Sequence, residues 1–358
     1  MTSVVCFLLL ASQNPAFADL SAQATSARES GDLVGALSLY RRAVDANPAW
    51  EEGWWFLGSM SYDADLYAEA RDALRHMVAL DPAAIAACAL LGLSEFETGE
   101  YERALTHIQH ALKAGVPDPK MEGVLRFHEV LALDQVGRFD AAVKAATWFA
   151  QRSVRNPELM LALGLSTLHN RTLPRAVSTE QRPLFLAAAE GAYLALAGDF
   201  SGAQQAFASL LRQYPLTPYV HYVYGCFLLA ADPDTAVVEL RRELDVNPSC
   251  APASAMLAWS FLQRNDFPQA LEYSRRSVQL DETVALGQLA LGRCLLETGK
   301  TAESIAHLER AKHLDPGNLD TRASLAAAYS QAGRVNDARQ ARAETLAMWE
   351  KEDANAAR

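Results

Sequence analysis

A phrase of six residues that returns every 34 positions constrains this chain more than any other feature of its sequence. Gly-Asp-Leu-Val-Gly-Ala at 31–36 recurs as Asp-Leu-Tyr-Ala-Glu-Ala at 65–70 and as Gly-Glu-Tyr-Glu-Arg-Ala at 99–104. Related turns follow at Gly137, Gly198, Asn265, Gly299 and Gly333. Glycine permits the left-handed conformation that ends a helix, and the small residue further on lets the next helix pack closely. The spacing therefore predicts a stack of short helix pairs.

Two further markers stand at constant offsets from these turns. A proline lies 12 residues after the small residue of five turns, at Pro48, Pro82, Pro215, Pro248 and Pro316. Because proline lacks the amide hydrogen that would continue a helix, it separates one pair from the next. An apolar residue followed by glycine precedes the turns, at Leu57-Gly58, Leu91-Gly92, Leu163-Gly164, Tyr224-Gly225 and Leu291-Gly292. That glycine allows two antiparallel helices to approach closely.

Trp54, Leu57, Gly58, Ala70 and Pro82 together show the pattern that defines the tetratricopeptide repeat, and the chain resembles that family over nearly its whole length. We count about nine units between about residues 17 and 350. Several copies in one phase distinguish this pattern from a generic alanine-rich bundle. The resemblance implies an all-α fold, a right-handed superhelical solenoid of antiparallel helix pairs.

Two departures from the repeat divide the chain. The fourth unit has Arg126 and Glu129 where the family places apolar packing residues. After a first helix from about Leu159 to His169, a polar, proline-bounded stretch at 170–183 replaces the second helix. Such a stretch is either functional or a plain insertion, and both alternatives stay open. The predicted organisation is a signal peptide at 1–18, a repeat block at 19–157, an irregular helix plus loop at 158–183, a second repeat block at 184–350 and a polar tail at 351–358.

The first 18 residues carry no charged side chain and contain an apolar block from Val4 to Ala11, which is too short to span a bilayer. They end in Ala16-Phe17-Ala18, which fits a signal-peptidase site before Asp19. This pattern indicates an exported bacterial protein, in the periplasm. No Lys or Arg precedes the apolar block, and the alternative is an uncleaved apolar helix that caps the first repeat of a cytoplasmic protein.

Composition excludes several classes of function. The formal net charge is −11, from 43 acidic and 32 basic side chains, and such a surface repels the phosphates of nucleic acid. The sequence contains no nucleophile elbow, phosphate-binding loop or zinc-protease motif. Beyond the leader, the cysteines are scattered, without metal-binding spacing, and we expect Cys88 and Cys294 to be small buried hydrophobic residues. We therefore predict no enzyme and no cofactor.

The family resemblance implies that partners lie on the concave face, which the first helix of each pair lines. The repeat register then gives a predicted partner-binding groove of Glu52, Trp55, Ser59, Tyr62, Leu93, Phe96, Phe127, Leu131, Tyr219, Tyr222, Trp259 and Arg293. Adjacent helical residues face different ways, so if Trp54 fills the core, Trp55 points towards the groove. Exposed aromatic residues are typical anchors for a peptide, although each could instead pack against a neighbouring helix. Some family members grip a terminal carboxylate with basic residues at these positions, and this chain lacks that clamp.

Three histidines could in principle approach one another. His107 and His110 are three residues apart on a predicted second helix, and His128 comes from the next helix. No carboxylate or cysteine completes a ligand pattern with them, so we interpret them as surface histidines and predict no metal site.

The sequence supports two hypotheses about function. The first is a non-catalytic scaffold that binds protein or peptide partners, including envelope proteins, through an aromatic-lined groove. The alternative is a small-ligand receptor or enzyme that uses the 170–183 loop. Its candidate residues are His169, Arg171, Arg175, Glu180 and Arg182.

Overall fold

The structure is a computed structural model that describes the backbone of residues 15–356 and the side chains of residues 16–350. Over this range the chain forms twenty α-helices and one short 3₁₀ helix, and it contains no strand. The helices belong to two compact units, of which the first extends to Val177 and the second starts at Ser178.

The first unit contains ten α-helices. They are α1 (Pro15–Glu29), α2 (Leu33–Ala46), α3 (Glu51–Asp63), α4 (Tyr67–Leu80), α5 (Ile85–Glu97), α6 (Tyr101–Ala114), α7 (Pro119–Gln135), α8 (Phe139–Ala145), α9 (Thr147–Gln151) and α10 (Pro157–Thr167). Four successive pairs are formed, because α8 and α9 together serve as the partner of α7. Helix α10 has no second helix and is followed only by the 3₁₀ helix at Pro174–Ala176.

The second unit contains five regular pairs. They are α11 (Arg182–Leu196) with α12 (Phe200–Gln213), α13 (Val220–Leu228) with α14 (Pro233–Val246), α15 (Ala251–Gln263) with α16 (Phe267–Leu280), α17 (Ala285–Glu297) with α18 (Thr301–Leu314), and α19 (Leu319–Gln331) with α20 (Val335–Ala356). The described residues therefore hold nine helix pairs and one unpaired helix, and the prediction of an all-α solenoid of about nine repeats is confirmed.

The turns within the pairs use the left-handed residues that the sequence pattern predicts. Gly99 has φ of +80°, and Asp65 and Asn265 take the same conformation with φ of +58°. The next amide then folds back on the helix, so that the Glu100 N–H donates to the Glu95 carbonyl at 2.8 Å. This hydrogen bond pairs a carbonyl that the end of the helix would otherwise leave unpaired.

The helices of a pair touch at the predicted glycine. At Gly92, an added Cβ would lie 2.8 Å from the Ile108 side chain and 3.0 Å from the Ile108 amide nitrogen. At Gly58 an added Cβ would lie 2.6 Å from Leu74. An added Cβ at either position would lie less than 3.0 Å from a side-chain carbon of the partner helix, which is closer than carbon atoms normally approach. The close approach of α5 to α6 and of α3 to α4 therefore favours glycine at these positions.

Side chains near the start of the first helices pair with the residue that ends the preceding repeat. The Trp54 indole N–H donates to the Pro48 carbonyl at 2.9 Å, and the Arg322 guanidinium donates to the Pro316 carbonyl. His221 makes the equivalent contact with the Pro215 carbonyl at 3.0 Å. Different residue types at one register position therefore satisfy the same backbone group.

The fourth unit keeps its helix pair although its register positions are charged. Glu129 is buried, and its carboxylate accepts hydrogen bonds from Gln109 at 3.1 Å and from Arg126 at 3.3 Å. Burial of a carboxylate is tolerated when hydrogen-bond donors surround it. The polar residues of this unit thus replace apolar packing with a hydrogen-bonded contact between α6 and α7.

Helix α10 ends in the same way as its counterparts, yet the next helix does not form. His169 adopts φ of +52°, and the Asn170 amide donates to the Leu165 carbonyl at 2.9 Å. In the regular pairs the residue four positions later, such as Ala104 after Glu100, donates the first hydrogen bond of the second helix. The corresponding residue here is Pro174, which has no amide hydrogen and whose ring would strike the preceding turn.

The structure also bears on the predicted leader, on the cysteines and on membrane-spanning helices. Residues 1–14 of the predicted leader lie outside the described residues, and Pro15 to Ala18 form the first turn of α1. Cys88 and Cys294 are buried, and burial raises the pKa of the Cys294 thiol to about 11. Among residues 15–356, no helix is both long and apolar enough to cross a bilayer.

Candidate functional site

First helices of neighbouring repeats contact one another in parts of both units. In the first unit α3 contacts α5, α5 contacts α7, and α7 contacts α10, while in the second α15 contacts α17 and α17 contacts α19. Each second helix packs mainly on its own partner and on the next first helix. We call the side of each unit on which its first helices lie the inner face.

Two predicted groove residues of α3 lie partly exposed at this face. Trp55 and Tyr62 are half-buried and pack against the core that contains Leu74 and Leu91. Trp54 packs against the same core, and its ring also stacks on His76 with centroids 4.2 Å apart. Ser59 is half-buried in the same helix, and Glu52 is exposed near its start. Both tryptophans are half-buried, and the orientation of Trp55 towards a groove stays a prediction.

The structure corrects the surroundings of three further predicted groove residues. Leu93 and Phe96 are 1% and 3% exposed, and Leu131 is 7% exposed. They are buried because the first helices pack side by side, and because the chain after α10 covers Phe96 and Leu131. Phe127, on α7, is half-buried. The three buried residues pack beneath the surface of this face. Their role in partner binding stays a prediction.

Acidic side chains surround the aromatic residues of the first unit. Burial, together with the nearby charges of Glu97, Asp63 and Asp65, raises the pKa of the Tyr62 hydroxyl. Glu158, at the start of α10, lies in the same region as Glu97. Since each of these carboxylates favours positive charge nearby, the face is suited to a basic segment.

A cavity of about 150 Å³ lies where α5, α7 and α10 meet the chain that follows α10. Its helical walls are Phe96, Glu97, Phe127, His128, Leu131 and Glu158, and Leu173, Pro174 and Arg175 line its other side. Burial lowers the pKa of the His128 imidazole, whose Nδ1 lies 2.8 Å from the Val124 carbonyl. At neutral pH this wall is therefore aromatic and acidic and carries no histidine cation.

In the second unit the predicted tyrosines stand at the start of α13. Tyr219 has φ of +69° and Tyr222 is 4% exposed, and their ring centroids are 6.1 Å apart. The buried Glu243 carboxylate accepts hydrogen bonds from the amides of Tyr219 at 2.7 Å and Tyr222 at 3.2 Å. Burial, the largest effect, raises the pKa of the Tyr219 hydroxyl to about 12, with nearby Cys250 and Glu243 adding to it. Glu243 thus acts as the cap of α13, and Tyr222 is a core residue.

The other two predicted groove residues of this unit lie together. The Arg293 guanidinium stands 5.2 Å from the centre of the Trp259 ring, and both residues are half-buried. A cation held over an aromatic face stabilises both side chains. Arg293 therefore packs on the Trp259 ring through a cation–π contact.

The residues considered for a metal site or a loop-based catalytic site are dispersed. His107 Nδ1 lies 2.6 Å from the buried Glu95 carboxylate, which also binds Arg75, while His110 is exposed. Within residues 15–356 no group of three His, Cys, Asp or Glu residues is arranged to hold a metal ion. In the first unit His169 stacks on Phe139 of α8 at 4.7 Å, whereas Arg175 contacts Glu97 of α5.

Part of this surface was not predicted from the sequence. Glu97 and Glu158 were not among the predicted groove residues, although Glu97 directly follows Phe96 in the repeat register. The pairing of Arg175 with Glu97 in particular was not predicted, because a repeat pattern describes contacts at fixed spacing, and Arg175 lies 78 residues after Glu97. The one available signal was the complementary charge of an arginine-containing loop in an acidic protein.

Comparison with protein families finds tetratricopeptide-repeat descriptions throughout the chain. One family model matches residues 21–85, 128–192 and 255–318, which is more than half of the chain, and two others match residues 191–217 and 295–358. No curated protein sequence matches. Proteins of this family bind peptides or other proteins and are typically non-catalytic scaffolds, and the predicted family is confirmed.

Solved structures with similar folds include three proteins of low identity. The crystal structure of MamA is 21% identical and covers 46% of this chain and 96% of that chain, with a TM-score of 0.38. The APC/C hetero-tetramer Cut9-Hcn1 is 13% identical and covers 95% and 88%, with a TM-score of 0.42. YrrB, described as a TPR protein with an unusual peptide-binding site, is 17% identical and covers 44% and 82%, with a TM-score of 0.36. At scores this low none of them bears on how this chain functions, and it is the repeat matches that make the chain a member of the tetratricopeptide-repeat family.

Proposed function

We propose that the chain is a non-catalytic scaffold that holds extended protein segments on the inner face of its first unit. The observation that carries the proposal is the grouping of partly exposed Trp55, Tyr62 and Phe127 with the acidic Glu97 on one layer of helices. Aromatic rings offer large contact area at small cost in conformational entropy, and the carboxylate adds selectivity for charge.

The dispersal of the loop's charged residues supports the scaffold over the loop-based alternative. A reaction needs a nucleophile, an acid or base and an orienting group within hydrogen-bond reach of one another. In the first unit, the loop's charged side chains contact separate places instead: Arg171 lies against Gly137, and Arg175 pairs with Glu97. The proposal therefore assigns the loop no chemistry.

A triple substitution tests the scaffold function. Trp55→Ala, Tyr62→Ala and Phe127→Ala together should abolish partner capture, measured by crosslinking and mass spectrometry in the cells that make the protein. Phe96 is left intact because truncation of a buried ring would open a cavity and destabilise the fold. Helix content and melting temperature should stay close to those of the wild type.

A matched control removes apolar groups that lie elsewhere. Phe200, Leu216 and Trp349 are exposed in the second unit, and their triple alanine variant removes a similar apolar area. This control should capture partners as the wild type does. Equal capture by the groove variant and the wild type would overturn the proposal.

We also propose export to the periplasm, where partners would be envelope proteins. The support is the uncharged leader and its Ala-Phe-Ala ending. Cleavage before Asp19 would remove Phe17, whose ring lies edge-on to Trp50 at 5.3 Å, and would uncover one side of Trp50. Sequencing of the mature N-terminus should find Asp19, and an intact Met1 in a cytoplasmic fraction would contradict export.

A further inference from the structure

The segment that follows α10 lies on the inner face of the first unit, and we call residues 170–177 the strap. The side-chain amide of Gln135 donates a hydrogen bond to the Arg171 carbonyl. Leu173 and Pro174 then line the cavity whose wall includes Phe96, Phe127 and Leu131. The Arg175 guanidinium lies 3.4 Å from the Glu97 carboxylate. The strap thus touches α5 and α7 at positions that a partner segment would use.

The contacts of the strap are those of a bound peptide. Leu173 has φ of −72° and ψ of 147°, and Val177 has φ of −73° and ψ of 123°, so both ends of the short 3₁₀ turn are extended. A main-chain carbonyl accepts from a helix side chain, two apolar residues meet an aromatic wall, and one cation meets one carboxylate. The contacting groups are a main-chain carbonyl, two apolar side chains and one cation. An extended segment of another protein that carries the same groups could make the same contacts.

The strap is also held in a way that permits exchange. The Arg175 side chain is 68% exposed, so its pair with Glu97 is solvated and weak. Pro174 and Val177 are buried, whereas the other residues from 170 to 176 are half-buried or exposed, so the strap is held at two points. Pro174 also keeps the segment from folding into a helix that would pack permanently against α10.

We propose that the strap is an intramolecular stand-in for the partner, and that the groove selects extended segments in which an apolar residue and proline precede a basic residue. This inference rests on the proposed function. A partner binds by displacing the strap, so the apparent affinity for every partner equals the intrinsic affinity multiplied by the fraction of molecules in which the strap is displaced. Phe127 forms the apolar wall against which the apolar residue and the proline pack. Glu97 selects the basic residue of the segment through its negative charge.

The test uses a labelled peptide with the sequence of residues 170–177, Asn-Arg-Thr-Leu-Pro-Arg-Ala-Val, capped at both ends. Binding to the full chain is followed by fluorescence anisotropy and, at millimolar peptide, by chemical-shift changes in NMR spectra. A variant in which a Gly-Ser sequence of equal length replaces residues 171–176 should bind at least about ten times more tightly than the wild type, because no competing segment remains. Equal affinity for both proteins would overturn the proposal.

Charge reversal identifies the site. In the strap-replaced variant, Glu97→Lys should abolish binding of this peptide and permit binding of a peptide in which its second arginine, the counterpart of Arg175, is glutamate. Phe127→Ala should weaken both peptides. Binding that is indifferent to Glu97 and to Phe127 would place the peptide elsewhere and contradict the inference.

A second variant covers the case in which the replaced strap disturbs folding. Arg175→Glu leaves the strap at full length but sets its charge against Glu97. Trypsin should cut after Arg171 faster in this variant than in the wild type, as mass spectrometry of the products shows. Arg212→Glu, an exposed change in the second unit, is the control and should leave that rate unchanged. An unchanged rate in Arg175→Glu would show that the charge pair does not seat the strap.

The two proposals fail in distinguishable ways. If the aromatic triple variant loses its partners while the strap-replaced variant captures the same partners as strongly as the wild type, the scaffold function stands and the strap inference falls. If the aromatic triple variant keeps its partners, the scaffold function on this face falls first.

Discussion

Helices α5 and α10 end alike, but the segments after them differ. Each helix ends in a left-handed residue, Gly99 or His169, and in each the next amide folds back on the helix. After α5, Ala104 donates to the Glu100 carbonyl at 2.9 Å and α6 begins. After α10, Pro174 stands at the corresponding position and the chain becomes the strap.

The comparison shows that a turn alone does not specify a second helix. Nucleation requires the first backbone hydrogen bond, and a proline at that position prevents it. Without a second helix, the inner face beside α10 is covered by an extended segment, which can leave more easily than a packed helix. Pro174 thus prevents a second helix from forming after α10, and the chain forms the strap there, which is a candidate regulatory element.

The largest loss of stability is expected when a proline is placed in a regular helix pair, at the position that Pro174 has after α10. Ala104→Pro removes the first hydrogen bond of α6 and places a ring against the Glu100 carbonyl, so we expect a loss of at least about 3 kcal/mol of unfolding free energy. Urea denaturation followed by circular dichroism measures it. Glu102→Pro is the control, since proline is found at the equivalent second position of α16 as Pro268, and it should cost much less. Equal losses would show that the donor at position 104 is not decisive.

The contact between α7 and the unpaired helix should make stability depend on pH. The Ser166 hydroxyl donates to the buried Asp134 carboxyl at 2.7 Å, and burial raises the pKa of Asp134 to about 8 from its ordinary value of 3.8. The folded state therefore holds a proton that the unfolded state has lost between about pH 4 and pH 8, and stability falls as pH rises through that window. The loss attributable to this group is at most about 1.4 kcal/mol per pH unit, or up to about 3 kcal/mol from pH 5 to pH 7.

Asp134→Asn isolates this effect. The amide has the size of the carboxyl but does not titrate, so the difference in unfolding free energy between pH 5 and pH 7 should shrink in the variant. Urea denaturation of both proteins at both pH values gives the two differences. An equally steep pH dependence in the variant would assign it to other groups.

A smaller effect is expected where the helices of a regular pair touch. Gly92→Ala sets a methyl group 2.8 Å from Ile108, and overpacking of this kind costs about 1–3 kcal/mol. Gly123→Ala in α7 is the matched change, because its methyl group would meet only Trp148 at 3.9 Å. That variant should gain up to about 1 kcal/mol from helix propensity. Thermal or urea unfolding of both variants should therefore give opposite signs, and the same sign would contradict the close contact of α5 and α6.

The smallest effect on stability concerns the charge pair of the strap. Arg175→Ala should change the unfolding free energy by no more than about 1 kcal/mol, because the pair with Glu97 is solvated. Urea denaturation checks this value against the wild type. A much larger loss would mean that the strap is part of the permanent core of the first unit, in contrast to the exchangeable segment that we propose.

Much of the fold was predictable because its determinants are local. A glycine at 99, a glycine at 92 and a proline at 82 each act through contacts within one repeat, and the 34-residue period repeats these contacts along the chain. Local geometry also dictates that Trp54 and Trp55 face different directions, whereas the placement of Trp55 in a groove stays a prediction.

The candidate site was less predictable because burial depends on neighbours outside the repeat. Phe96 and Leu131 occupy groove positions, yet both are buried, and the strap lies across the cavity that they line. Tyr222 occupies a groove position as well, but the start of α13 turns inward onto the Glu243 carboxylate. A register states which helix face a residue occupies and leaves open what lies against that face.

By itself, the sequence determined the helix pairs, their number, their close contacts and the missing second helix after α10, because each depends on hydrogen bonding and steric fit between residues near one another in the chain. Only the tertiary structure decided where the strap lies, that Glu97 receives Arg175, and which aromatic residues keep an exposed surface. Those contacts join residues far apart in sequence, and their formation depends on the stacking of whole repeats.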